Sequence, residues 1–238
     1  GQADQLAVDV GDVGRDLPQD GITDHSNVVG GGHVVQGYRS RLVTQYFDPE
    51  PTVTSDERAV ELVLPDLQAT LATDRGVFSA GQVDAGSKLL LLDGPAPTPD
   101  DQVIVDVGCG YGPIAHALAV RNPNAVIYAV DVNERARELC RRNTEALGNV
   151  VVAAPDDVPA DLAVDRVWSN PPIRVGKPVL HELLMRWLGQ LTPTGSAHLV
   201  VQKHLGADSL HRWLEQQGFA VERRASRKAY RLLDVTHD

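Results

Sequence analysis

A buried strand that runs directly into a glycine-rich loop is the feature that most limits how this chain can fold. Val103–Val107 is almost wholly apolar, as expected of a central strand in a parallel sheet that is covered on both faces. The loop that follows has glycine at every second position, and Pro113–Arg121 then has the pattern of a helix with proline in its first turn. Strands and helices alternate from there onward, which predicts an α/β fold with a mostly parallel sheet.

The same reading predicts the remaining elements. A short leucine-rich helix is expected after Ser87, and prolines at 95, 97 and 99 mark a linker before the alternating part. Strands are predicted at 61–64, 68–73, 103–107, 125–130, 150–153, 164–168, 197–201, 220–224 and 230–235, and helices at 113–121, 133–147, 178–190 and 207–217.

Residues 1–42 differ in composition from the rest of the chain. They are rich in Gly, Asp and Val, include three consecutive glycines at 30–32, and have no sustained hydrophobic period. Such a segment buries too little apolar surface to offset its ordering entropy. We therefore predict a disordered tail at 1–42, or a natural start further along the chain, and one domain over 43–238.

Composition and charge exclude several classes of protein. The formal net charge of -10 argues against a globally basic nucleic-acid binder, although a local basic patch is still compatible with RNA. No apolar run approaches the roughly 18 residues that a membrane span needs, and the N-terminus lacks a signal-peptide pattern. Two cysteines provide neither a disulfide framework nor a metal-binding spacing. The expected setting is cytoplasmic, with no metal and no membrane partner.

The glycine loop has the composition of a cofactor cradle. Asp106 stands two residues before Gly108, and Gly110 and Gly112 follow at alternate positions. Glycine permits a positive φ and a close approach of backbone to ligand. Dinucleotide sites use Gly-x-Gly-x-x-Gly instead, so this spacing favours the ammonium and carboxylate of a methionine-type ligand. Cys109 fits a small packing residue better than a nucleophile.

Acidic residues follow the next two predicted strands. Asp131 is placed to accept both ribose hydroxyls of a nucleoside cofactor, because an ionised carboxylate takes two donors, although the same position also serves dinucleotide enzymes. Asp156 and Asp157 follow the third strand, from which they are able to reach an adenine amine, or they are simple turn formers between prolines.

The turn Asn170-Pro171-Pro172-Ile173 ends the fourth strand of the alternating part, where ligands bind in parallel sheets. An exocyclic base amine is a poor nucleophile because its lone pair is delocalised into the ring. The Asn170 oxygen and a carbonyl of the Pro-Pro turn can accept its two N–H bonds and free that lone pair, so that positioning and fixed dipoles replace a strong base. With the glycine loop, this predicts transfer of a methyl group from S-adenosyl-L-methionine to a planar, conjugated nitrogen.

Taken together, the motifs resemble the RsmC-like family of small-subunit ribosomal RNA guanine-N2 methyltransferases, in particular its single-domain members, over nearly all of 43–238. The residues that carry the resemblance are Gly76-Val77-Phe78-Ser79, Val83-Asp84-x-Gly86-Ser87, the glycine loop, Asn170 to Lys177, Gln202-Lys203 and Ser226 to Arg231. Ala229 stands where that family usually has glycine, and the extra N-terminal domain of the two-domain members is not evident.

The resemblance implies a Rossmann-like methyltransferase fold of seven strands with an antiparallel closing strand and a small β-containing entry segment. It implies S-adenosyl-L-methionine as cofactor and ribosomal RNA, or the small ribosomal subunit, as partner. The implied catalytic residues are Asn170, Pro171, Pro172 and Ile173, the aliphatic Ile173 favouring guanine-N2 over an adenine amine or a protein glutamine. The implied cofactor-binding residues are Phe78, Asp106, Gly108, Cys109, Gly110, Gly112, Asp131, Val132, Asp156 and Asp157.

Five cations are predicted to contact the RNA substrate: Arg174, Lys177, Lys203, Arg227 and Lys228. Arg227 and Lys228 lie in a local basic cluster with Arg223, Arg224 and Arg231, and alternation along a strand places some of these on one face. The alternative is ordinary solvated charge. Two other functions stay open at this point: methylation of an adenine or a protein glutamine, and a non-catalytic RNA-binding module on the same fold.

Overall fold

The computed structural model describes residues 52–238. The predicted tail at 1–42 and the domain boundary at 43 lie outside the described residues. Within 52–238, no helix is long and apolar enough to cross a membrane.

The described chain begins with a two-stranded antiparallel hairpin, β1 (Arg58–Val63) and β2 (Gln68–Thr73). Helix α1 (Ala85–Asp93) leads from it to a seven-stranded sheet. The elements of the sheet and its helices, in chain order, are β3 (Val103–Val107), α2 (Pro113–Arg121), β4 (Val126–Val130), α3 (Glu134–Thr144), β5 (Val150–Ala153), β6 (Val164–Ser169), α4 (Lys177–Leu188), β7 (Leu191–Gln202), α5 (Ala207–Gln216), β8 (Phe219–Arg227) and β9 (Tyr230–His237).

The strand order in the sheet is β5-β4-β3-β6-β7-β9-β8. All neighbouring strands from β5 to β7 are parallel, and β9 runs antiparallel to both β7 and β8. The predicted seven-stranded Rossmann-like sheet with an antiparallel closing strand is confirmed. The chain order reverses between β3 and β6, which is where open α/β sheets bind ligands, outside the carboxyl ends of the strands.

Two hydrophobic clusters cover the two faces of the sheet. Ile104 packs with the hairpin and with α1 to α3, whereas its neighbour Val105 packs with α4 and α5. Successive residues of a strand point to opposite faces, so a strand buried on both sides must be apolar at almost every position. This explains the composition of β3.

Several element boundaries differ from the sequence prediction. The helix expected at 133–147 ends as an α-helix at Thr144 and continues as a 3₁₀ turn over Glu145–Leu147. The Thr144 hydroxyl donates to the carbonyl of Cys140 at 2.7 Å, a local bond that competes with regular helix continuation. The first strand is Arg58–Val63 rather than 61–64, and β7 begins at Leu191 rather than 197.

The early part of β7 was missed because its sequence, 192–195, is polar and contains both Pro and Gly. Leu191 pairs with Val164, and the register then shifts before Ser196 pairs with Arg166. An irregular strand start of this kind breaks the apolar pattern on which the prediction depends.

Candidate active site

A cavity of about 700 Å³ opens at the carboxyl ends of the central strands. Residues from four strand ends line it: Gly108 after β3, Asp131 after β4, Asn170 after β6 and Gln202 at the end of β7. The volume lies within the range of small-molecule and cofactor sites. The topology therefore brings the glycine loop and the Asn-Pro-Pro turn, which are far apart in sequence, to one cavity.

The glycine loop has the backbone geometry that its sequence predicts. Gly108, Gly110 and Gly112 all have positive φ, at 76°, 57° and 91°, which side-chain-bearing residues rarely adopt. A Cβ on Gly108 or Gly110 would meet nothing within 4 Å, because both face open space. A Cβ on Gly112 would lie 2.6 Å from the Sγ of Cys140, so this glycine also permits close packing of α2 on α3.

Asp131 lies across from this loop and is held by backbone amides. Its Oδ2 accepts from the amide of Gly110 and its Oδ1 from the amide of Asn133, both at 2.9 Å. Burial raises the pKa of Asp131, while the amides of Asn133 and Gly110 and the charge of Arg137 oppose that rise. A carboxylate offers about four acceptor positions, so each oxygen keeps one for a ligand hydroxyl.

Asp106 is fully buried beneath the loop and is not among the residues that line the cavity. Its Oδ2 accepts from the amide of Ala115 in the first turn of α2 at 2.9 Å. Burial raises the pKa of Asp106 to about 8, a rise that the Ala115 bond opposes and the nearby Asp131 reinforces. Its Oδ1 has no hydrogen-bond partner among the described residues. Asp106 is thus placed to shape the loop from below.

Several predicted cofactor residues lie at different depths around the same end of the sheet. Phe78 and Val132 line the cavity and are partly exposed. Cys109 and Gly112 are buried under the loop. Asp156 and Asp157 are exposed on a 3₁₀ turn whose first residue, Pro155, lines the cavity. Asp156 accepts from Arg186 at 2.9 Å.

The amide of Asn170 has a defined orientation. Its Nδ2 donates to the Oδ2 of Asp84 at 2.8 Å and to the Oγ of Ser87 at 3.1 Å. Asp84 and Ser87 both act as hydrogen-bond acceptors for the amide nitrogen of Asn170. The amide oxygen of Asn170 has no protein donor among residues 52–238. The remaining turn residues, Pro171, Pro172 and Ile173, line the cavity beside it.

Sequence reasoning assigned no role to Asp84 or Ser87. Asp84 is the N-cap of α1, with its Oδ2 accepting from the amides of Gly86 at 2.7 Å and Ser87 at 3.1 Å. Gly86 is required here, because a Cβ would lie 2.9 Å from the ring of Tyr230 on β9. An aspartate three residues before a serine at a predicted helix start was the available signal, but it indicates only a cap. The contact with Asn170 is formed by the fold.

The cations predicted to contact RNA, together with the C-terminal basic cluster, fall into two groups. Arg174 lines the cavity and is exposed. Lys177 donates to the Oγ of Ser209 at 3.3 Å. Among the described residues, no ion pair is formed by Arg174, Lys177, Lys203 or Lys228. In the C-terminal basic cluster, by contrast, the arginines pair with aspartates: Arg223 and Arg231 with Asp208, Arg224 with Asp234 and Arg227 with Asp93.

No group of three or more His, Cys, Asp or Glu side chains within 52–238 is arranged to hold a metal ion. Cys109 and Cys140 are both buried as free thiols, and their mutual contact together with burial raises the pKa of the Cys109 thiol well above its usual value. A thiol with a raised pKa is a poor nucleophile at neutral pH.

Comparison with known proteins identifies a family and a set of relatives. The family described as "Methyltransferase small domain" matches residues 68–234. The uncharacterized protein YbxB of Bacillus subtilis is 35% identical over 193 residues, which is 79% of this chain and 96% of that protein. Ribosomal RNA small subunit methyltransferase C of Aeromonas hydrophila is 37% identical over 47% of this chain, and that of Shewanella loihica is 30% identical over 78%.

This chain spans 32% and 55% of the length of those two methyltransferases. Among solved structures, the T. thermophilus 16S rRNA N2 methyltransferase (RsmC), in complex with AdoMet and guanosine, superimposes with a TM-score of 0.67. The two chains are 24% identical, and the match covers 79% of this chain and 52% of that one.

Proposed function

The chain belongs to the methyltransferase small domain family, and from that premise we propose that it methylates the exocyclic N2 of a guanine in small-subunit ribosomal RNA. By family and fold it is an S-adenosyl-L-methionine-dependent methyltransferase, and the resemblance to the RsmC-like family is confirmed. What we propose beyond this is that the methylated base is guanine, that the methylated atom is its N2, and that the substrate is small-subunit ribosomal RNA. The observation that carries it is the fixed amide of Asn170, whose free oxygen shares one cavity with the glycine loop.

The cavity fits the cofactor on its own geometry. The open space beside Gly108 and Gly110 allows a ligand to approach the backbone, and the half-buried Asp131 retains acceptor capacity for the two ribose hydroxyls. Val132 and Phe78 also line the cavity and can supply apolar contacts. When bound, S-adenosyl-L-methionine would supply an electrophilic methyl carbon, and its sulfur would leave as a neutral thioether when the C–S bond breaks.

The proposed role of Asn170 is to bind and orient the substrate amine. Guanine N2 carries two hydrogens and a lone pair that is delocalised into the ring. The Asn170 oxygen accepts one N–H bond, and the carbonyl of Pro171, which already accepts from the amide of Ile173 at 2.8 Å, has a second lone pair for the other. Two acceptors draw the nitrogen toward a tetrahedral geometry, so that its lone pair is available as the N–C bond forms; one N2 proton is then released.

Four predicted cations, of which Arg174 lines the cavity, are proposed to position the RNA. Arg174, Lys177, Lys203 and Lys228 have no carboxylate partner among the described residues and so are available to phosphates at little cost. Arg227 is held by Asp93 at 2.8 Å, so a phosphate contact there requires the exchange of one ion pair for another. Such contacts fix the register of an RNA without specifying its sequence.

The test is methyl transfer to ribosomal RNA followed by nucleoside mass spectrometry. Small ribosomal subunits and naked small-subunit RNA from cells that lack this gene are incubated with the purified protein and S-adenosyl-L-methionine, with the Asn170→Ala protein as the matched control. We expect N2-methylguanosine with the wild-type protein only. Methylated adenine or methylated protein glutamine from an active enzyme would overturn the substrate assignment while leaving the methyltransferase assignment in place.

A further inference from the structure

The two oxygens of Asp84 have different surroundings. Its Oδ2 takes three donors: the amide of Gly86 at 2.7 Å, the amide of Ser87 at 3.1 Å and the Nδ2 of Asn170 at 2.8 Å. Its Oδ1 takes no donor from any residue of the described chain. Asp84 is half-buried and lines the same cavity as Asn170, so a charged acceptor without a partner stands at the substrate site.

The hydrogen bond joins two side chains that both line the cavity, and each keeps one oxygen without a donor among the described residues. Asn170 is anchored through its nitrogen and Asp84 through its Oδ2, so each presents one remaining oxygen. The cavity therefore offers two adjacent acceptors, of which one is ionic. Groups of this kind select ligands that carry two adjacent donors.

We infer that Asp84 is a specificity-determining residue that accepts the N1–H of guanine while Asn170 accepts from N2. This inference rests on the proposed function. Guanine carries N1–H and N2–H on neighbouring atoms of one edge, which matches the two acceptors. Adenine carries an unprotonated N1, whose lone pair faces the Asp84 carboxylate and repels it. The pair thus explains, from the chain's own residues, how guanine is admitted and adenine rejected.

2-Aminopurine provides the matched substrate for a test. It has the same exocyclic amine at C2 as guanine, but its N1 is an acceptor without a proton. Wild-type enzyme is expected to prefer RNA with guanine at the target position over the same RNA with 2-aminopurine, by about 10- to 100-fold in kcat/KM for loss of one hydrogen bond to a charged group.

Asp84→Ser is the diagnostic variant. Serine is as good an N-cap as aspartate, so α1 and the thermal midpoint are expected to be preserved, but its hydroxyl is too short to reach both Asn170 and the base. Turnover falls with both substrates because Asn170 loses its anchor. The preference for guanine over 2-aminopurine falls as well, by roughly tenfold or more, because only guanine loses a contact.

Ser87→Ala is the control within the same cluster. It removes one acceptor from Asn170 at 3.1 Å but leaves the Asp84 carboxylate in place, so the guanine preference is expected to stay at the wild-type ratio. An unchanged ratio in Asp84→Ser, with guanine still methylated, overturns the role of Asp84 and leaves the proposed function standing. Absence of guanine methylation by the wild-type enzyme overturns the proposed function itself, and the two failures are distinguishable.

Discussion

The two sides of the cavity are built in different ways. The proposed cofactor side is made by neighbouring strands and short loops, with backbone amides as the main donors: Gly110 and Asn133 hold Asp131, and Gly108 donates to the carbonyl of Val130 at 2.8 Å. The proposed substrate side depends on side chains that are more than 80 positions apart, since Asp84 and Ser87 orient Asn170. The first side is formed by residues of adjacent strands and loops, whereas the second depends on contacts between distant parts of the chain. Substitutions on the two sides should therefore have different effects.

The largest expected effect is on turnover, at the substrate side. Asn170→Ala removes an acceptor that acts most strongly as the nitrogen becomes tetrahedral, so kcat should fall about 100- to 1000-fold, as for loss of one preorganised polar group. The affinity for S-adenosyl-L-methionine, measured by calorimetry, should be unchanged, because the interaction belongs to the transition state. A comparable loss of cofactor affinity would mean that the two sides are not separate.

Asn170→Asp sharpens the same test. It keeps an oxygen acceptor but replaces the Nδ2 that donates to Asp84 at 2.8 Å with a second carboxylate oxygen. Two like charges at that distance repel, and a charge in a partly dry site also carries a desolvation cost. We expect activity well below wild type; full activity would contradict the proposed orientation of the amide.

The next effect is on binding, at the cofactor side. Asp131→Ala removes the proposed ribose acceptor, and hydrogen bonds to a charged group contribute about 1.5–3 kcal/mol. Calorimetry should therefore find cofactor affinity weakened by about 10- to 100-fold. Asp161→Ala is the matched control, because that carboxylate is exposed and does not line the cavity; a larger loss of affinity there than at Asp131 would contradict the assignment of the ribose to Asp131.

This contrast also explains how much of the molecule was predictable. The sheet, the glycine loop and the position of Asp131 follow from local patterns, namely an apolar strand, glycines at positive φ and an acid after the next strand. The partner of Asn170 was not predictable, because a cap at 84 and a turn at 170 have no sequence signal that joins them. The boundary errors at Thr144 and Leu191 likewise arise from a side-chain bond and an irregular strand start, which periodicity does not encode.

The basic cluster is the clearest example of what sequence alone misses. Arg223, Arg227 and Arg231 are close in sequence and predict a positive patch. In the fold, Asp208 from α5 pairs with both Arg223 and Arg231, and Asp93 from α1 pairs with Arg227, so each arginine has a carboxylate partner. Arg174, which lines the cavity, has no carboxylate partner among the described residues, and only the tertiary structure separates it from the paired arginines.

A smaller effect is therefore expected on RNA binding, and it should depend on which group is changed. Replacing Arg174 and Lys203 together by Ala should weaken RNA binding and reduce its salt slope by roughly 1.4, because each single-strand phosphate contact contributes about 0.7. Replacing Arg223 and Arg227 together, both ion-paired in the fold, is the matched control and should change the slope less. Equal slopes for the two double variants would contradict the division of the cations.

The last expected effect is on stability, and it comes from Asp106, the carboxyl beneath the glycine loop. Burial raises the pKa of Asp106 from its usual 3.8 to about 8, so between those values the folded protein holds a proton that the unfolded chain has lost. The unfolded state then binds fewer protons, and the contribution of this group to stability falls as pH rises through that window.

Asp106→Asn keeps an acceptor for the Ala115 amide but does not titrate. The variant should gain thermal stability relative to wild type as pH rises toward 8, by roughly 2–4 °C in Tm for each kcal/mol of the linked free energy, and the difference should shrink toward pH 4. Scanning calorimetry across that range measures it, with Asp157→Asn, an exposed carboxyl, as the control. Parallel pH profiles for Asp106→Asn and wild type would mean that Asp106 is ionised in the folded protein, and that the loop rests on a charged rather than a neutral carboxyl.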